Sequence, residues 1–260
     1  MKRLLAIALV LVGCGDDGAS TFDAAVTPDS PSHDASVDAP AAAKEGQVFL
    51  AEVHGTLNAS TAIAMFLDGP LFESIGSADN CDAISDMAAM SLSAGSITVT
   101  GTTTDLALAQ GSADDPYTPT TETPADLFAP GATLSVTATG DVVPAFAGDV
   151  VAPQPLEDVV FPDTLSRSAP ATITWTAGAG DTMWFLLVPA SATPGGMLCR
   201  VPDNGSFTLT TAALGLLPAA VTQVSVVAYR LQEVSITAGA WTVSLRAGDS
   251  IVSATTPIGS

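Results

Sequence analysis

Carboxylates crowd one short stretch of this chain. Asp79-Asn80-Cys81-Asp82, with Asp86 four residues further on, sets hard oxygen donors close together, and such donors suit calcium. The spacing is not that of an EF-hand loop, and no calcium-binding repeat is present. A Ca2+ site at Asp79, Asp82 and Asp86 is one expectation for this stretch; a solvated acidic loop is the other. Asp114 and Asp115 form a second acidic pair. Residues 45–166 hold seventeen acids and no Lys or Arg, so bound cations would relieve repulsion there. Ordinary salt screening would do so too.

Catalytic constellations are sparse. His54 is the sole histidine after residue 45, and a Ser-His-Asp site would have to be built on it alone. No Gly-x-Ser-x-Gly elbow, His-Glu-x-x-His, Walker loop or dinucleotide fingerprint occurs. His54 therefore reads as a structural residue at a strand end, and no catalytic residue is assigned. Twenty acids follow residue 45, which leaves paired-carboxylate chemistry open as an alternative. Trp175, Trp184 and Trp241 read as core residues within strands, and Tyr117 as an exposed loop residue beside Asp114 and Asp115.

The most specific signal lies at the N-terminus. Lys2 and Arg3 precede an apolar run from Leu4 to Val12, too short to span a bilayer core of about 30 Å. Leu11-Val12-Gly13-Cys14 follows, and it resembles the lipobox of bacterial lipoproteins. That resemblance implies a signal peptide over 1–13, a diacylglycerol thioether on Cys14 and acylation of its new amine, with palmitate-type chains anchoring the protein in a membrane. Several chains give firm anchoring where one is marginal. Gly15 is not the Asp that retains enterobacterial lipoproteins at the inner membrane, so the outer membrane is expected, facing the periplasm or the cell surface.

With Cys14 lipidated, Cys81 and Cys199 remain. Secreted proteins fold in an oxidising compartment, so the pair is a disulfide candidate. A buried thiol at Cys199 is the competing reading, because it sits in a strand-like run.

Composition narrows the rest. The 260 residues carry 27 acids against 7 bases, a formal charge of −20. Without residues 1–13, five bases face 27 acids, giving −22. Phosphate contacts need clustered Lys and Arg, so no nucleic-acid partner is expected. Disorder throughout is excluded, since 47% of residues are hydrophobic and only 13% charged.

The chain divides into four parts. Residues 14–45 are rich in Asp, Ala, Ser, Thr and Pro with almost no large apolar residues. Such a segment cannot offset its ordering entropy, so it reads as a disordered tether, and His33 within it as solvated. Beyond it, apolar residues alternate with Thr and Ser: Ile97 and Val99, Leu106 and Leu108, Leu134 and Val136, Ile173 and Trp175, Val224 and Val226, Trp241 and Val243. Period 2 with β-branched residues marks half-buried antiparallel strands. Clusters such as Ala129-Pro130-Gly131 and Asp203-Asn204-Gly205 mark turns. Helices are expected only as inserts, at Asp79–Met90 and Thr210–Leu217. Prolines 153, 155 and 162 suggest a boundary. The expectation is an all-β protein with two immunoglobulin-like antiparallel β-sandwich domains, 46–152 and 153–260, each near the usual 100 residues. A faint echo links them: Ala94-Gly95-Ser96-Ile97-Thr98-Val99 shares four of six residues with Ala238-Gly239-Ala240-Trp241-Thr242-Val243.

The lipobox, the Gly15-Asp16-Asp17-Gly18 start, the Asp/Ala/Pro tether and the Thr-rich strands together resemble predicted outer-membrane lipoproteins of deltaproteobacteria, of the myxobacterial type. Ser93–Gly101, Leu127–Gly140, Ile173–Gly180 and Cys199–Thr208 carry most of the likeness. It implies architecture and location and transfers no site residues. The expected function is a non-enzymatic binding or structural display module of the cell envelope, with an unidentified protein or glycan ligand. A calcium-assisted adhesion module and a carboxylate-dependent envelope hydrolase are the alternatives.

Overall fold

A computed structural model describes residues 44–55, 58–85, 90–178, 182–190 and 195–259. Cys14, the signal-like segment, His33 and Asp86 lie outside the described residues. The described chain opens with β1 (Lys44–His54) and β2 (Ala59–Leu67), then the hairpin β3 (Ser74–Ala78) and β4 (Cys81–Ile84). Five strands follow: β5 (Ile97–Thr100), β6 (Leu106–Gln110), β7 (Tyr117–Pro119), β8 (Thr133–Ala138) and β9 (Phe146–Val151). Next come β10 (Leu165–Ser166), β11 (Ala171–Thr174), β12 (Thr182–Pro189), β13 (Gly196–Pro202) and β14 (Ser206–Leu209). The single-turn helix α1 (Thr211–Leu214) leads to β15 (Gln223–Ala238), β16 (Trp241–Val252) and β17 (Thr256–Gly259).

The protein is thus nearly all β. Period-2 burial is cleanest where the sequence alternates most strictly: β5 and β14 bury every second side chain. Thr210 caps α1 by accepting the Ala213 N–H on its hydroxyl, the usual role of Thr before a helix. The helix expected within Asp79–Met90 is not formed in its described part. Asp79 takes a positive φ of 52° in a tight turn, and Cys81 starts a strand. Β-pairing of Cys81–Ile84 with β13 outweighs the weak helical stripe.

One large sheet runs in the order β3-β4-β13-β12-β15-β16-β1-β2-β7-β6-β5-β8-β9, and β11 and β14 pair separately. Most ladders are antiparallel, but β1 and β16 pair in parallel along all eleven residues of β1. The far end of the sheet turns back, so that β9 packs over β15 and β16. There Gly148 lies so close that a Cβ would fall 2.9 Å from Leu245 and 3.2 Å from Ile236.

Two large apolar cores result, with two smaller clusters beside them. The first gathers around Phe66, whose ring meets those of Tyr117, Phe146 and Trp241 at 6.0, 5.8 and 6.3 Å. The second gathers around Phe185, which meets Trp175 and Phe207 at 5.3 Å each. Truncating either hub to Ala would cost about 3–5 kcal/mol. The first core draws on residues 48–152 and on 238–247; the second draws on 156–228 and on Cys81. The expected division at 152/153 is therefore crossed twice by the chain. The C-terminal strand β16 joins the first core, and the hairpin β3–β4 joins the second.

Candidate functional site

Polar residues end the apolar face of two adjacent strands. On β1, Gly46, Val48 and Leu50 face the first core, and Glu52 and His54 occupy the next two positions of the same face. On β16, Trp241, Val243, Leu245 and Ala247 face that core, and Asp249 comes next. The parallel register sets Glu52 directly against Asp249, and His54 against Ile251. Ile251 already packs on the second core, whereas Ala247 belongs to the first. Asp249 thus sits at the seam between the two.

The side chains converge. His54 Nε2 lies 3.0 Å from Asp249 Oδ2 and 3.5 Å from Glu52 Oε2. The other oxygen of each acid is held by backbone: Phe128 N–H donates to Glu52 Oε1 at 2.9 Å, and Leu156 N–H donates to Asp249 Oδ1 at 3.1 Å. Both acids are nearly buried, with side chains 9% and 4% exposed, while His54 is 39% exposed. Burial pushes the Asp249 carboxyl above the usual carboxylate range, and the Glu52 charge adds to this. The Leu156 N–H and the His54 imidazole pull in the opposite direction. Among the described residues, His54 is the sole basic side chain paired with these acids. Their donor atoms lie within 4.8 Å of one another, a geometry able to hold a metal ion.

The residues singled out by sequence fare differently. Cys81 and Cys199 are bonded to each other, as register partners on β4 and β13, and both are buried in the second core. The bond ties the hairpin to its neighbouring strand. Asp79 accepts a hydrogen bond from the Thr210 hydroxyl at 2.5 Å. Asp82 accepts from the Ser77 hydroxyl at 2.8 Å and from Arg200 Nη1 at 2.9 Å. One oxygen of Asp79 and both of Asp82 are thus engaged by protein groups, and Asp86 is outside the described residues. Tyr117 is not an exposed loop residue: it is 2% exposed, and its hydroxyl accepts from the Ala94 N–H at 2.8 Å. The three tryptophans are buried as expected. The guanidinium groups of Arg200 and Arg246 lie over the Trp184 ring, at 5.2 and 4.7 Å from its centroid.

Sequence reasoning missed Glu52 and Asp249 because they stand 197 positions apart and only strand pairing unites them. One signal was available. Continuing the even-numbered apolar face of β1 leads straight to Glu52 and His54, two polar groups where a core residue would be expected.

Comparison of the chain with protein-family models and with curated protein sequences gave no match. No helix among the described residues is long and apolar enough to cross a membrane.

Proposed function

We propose that the protein is a lipid-anchored, non-enzymatic binding or display module of the bacterial cell envelope. The Cys81–Cys199 bond carries this reading. It uses two of the three cysteines, and the third, Cys14, is the one that ends the lipobox-like sequence. A buried disulfide suits folding in an oxidising compartment, which is where a lipoprotein precursor is delivered. The two aromatic-centred cores support the reading of two immunoglobulin-like sandwich units, joined by strands exchanged between them. The resemblance to deltaproteobacterial lipoproteins favours the outer membrane. The acidic segment expected as a tether over residues 14–45 would hold the β body off the lipid surface.

Labelling with a palmitate analogue in a bacterial host tests the anchor. Wild-type protein should take up label and enter the detergent phase on phase separation. Cys14→Ser should stay unlabelled and unprocessed. Equal labelling of both proteins, or of neither, would rule out the anchor.

A further inference from the structure

We propose that Glu52, His54 and Asp249 bind one divalent transition-metal ion of the zinc class. The site is independent of the lipid anchor and adds a ligand chemistry that the display reading does not require.

Three observations carry it. First, the two carboxylates are more than nine-tenths buried and stand as direct register partners on adjacent strands. A protonated imidazole would balance one of these charges, whereas a divalent ion balances both and leaves the imidazole neutral. Second, each acid is locked by a backbone N–H on one oxygen, so the remaining Oε2 and Oδ2 are fixed in direction and both face His54 Nε2. Third, the spacing suits a small ion. Tetrahedral ligands at about 2.0–2.2 Å from zinc stand roughly 3.3–3.6 Å apart. The 3.5 Å separation of His54 and Glu52 falls in that range. The 3.0 Å hydrogen bond of His54 to Asp249 would open slightly to admit the ion, and all three donor atoms lie within 4.8 Å of one another. Calcium takes six to eight oxygens at longer distances, and an imidazole with two carboxylates is a poor set for it. Partial exposure of His54 provides an entry path from solvent.

The test uses the full chain, purified in detergent, stripped with chelator and confirmed folded by circular dichroism. Zn2+ competition against a chromogenic chelator should show one equivalent per chain, and Ca2+ at the same concentrations should show none. His54→Ala and Glu52→Gln should weaken Zn2+ binding by about 100-fold or more, and His33→Ala should leave it unchanged. No uptake by folded wild type, uptake retained in His54→Ala, or loss in His33→Ala would overturn the proposal. Should the site variants fail to fold, Co2+ added to wild type decides the matter. A ligand-field absorption band of a low-coordinate nitrogen and oxygen site supports it, and a spectrum like that of free aqueous Co2+ overturns it.

Discussion

Two acidic groups in this molecule invite opposite readings. Asp79 and Asp82 are neighbours in sequence, in a stretch that looks like a chelating loop. Glu52 and Asp249 are remote in sequence and carry no motif. In the fold, the first pair is engaged by protein groups: Asp79 accepts from Thr210, and Asp82 from Ser77 and Arg200. The second pair is concentrated by a parallel ladder, buried, and left with one histidine. In a β protein, register decides which charges meet, and closeness along the chain does not.

The largest expected effect lies on the hairpin side. Replacing both Cys81 and Cys199 with Ser removes the covalent link of β4 to β13 and should cost about 2–5 kcal/mol in urea unfolding. A loss well under 1 kcal/mol would mean that the ladder alone holds the hairpin. Next comes the seam. Asp249→Ala strands the buried N–H of Leu156 and should cost about 1–3 kcal/mol. Asp249→Asn should cost less in metal-free protein, because an amide oxygen can still accept that bond and repulsion with Glu52 is relieved. If Asp82→Ala cost as much as Asp249→Ala, the contrast between the two groups would fail.

Smaller still is the loss from Arg200→Ala. The pair with Asp82 is partly exposed, and such ion pairs with a surface cation–π contact contribute about 1 kcal/mol or less. The smallest effect concerns Glu233, on the opposite face of the β15–β16 ladder. Burial alone would raise its carboxyl, but the hydrogen bond and charge of Arg246, helped by Ser244 and Arg200, hold it below its ordinary value. Its contribution is present above the unfolded value of about 4.3 and is lost as pH falls through the lower folded one. Stability curves of wild type and Glu233→Gln should therefore converge in acid and part slightly near neutral pH.

Strands with strict alternation were legible without a structure: Ile97 and Val99 in β5, Leu134 and Val136 in β8, Trp241 to Leu245 in β16. The helical turn at Thr211–Leu214 was legible too, from the run Thr210–Leu217 and the Pro218 that ends it. The turn glycines of the internal echo, Gly95 and Gly239, both adopt positive φ before a strand. What stayed hidden depends on pairing over long separations. Nothing local says that β1 lies parallel to β16, that β3–β4 joins β13, or that the sixteen residues of β15 serve both cores. Tyr117 was misplaced for the same reason. Its short strand flanked by acids looks like a loop until the rings of Phe66 and its neighbours close over it. Glu52 and Asp249 belong with these hidden features, since their meaning comes from a register that spans almost the whole chain.

The parallel ladder between β1 and β16 also has a mechanical consequence. The chain enters the body at Lys44, the first residue of β1, and that strand is hydrogen-bonded on both edges, to β2 and to β16. Under the proposed anchor, a pull reaching Lys44 from the N-terminal side would act along the strand axis. It loads both ladders in shear, so many hydrogen bonds share the force together and do not unzip singly. Under the lipid anchor proposed above, the body would be gripped through a strand that is paired on both edges.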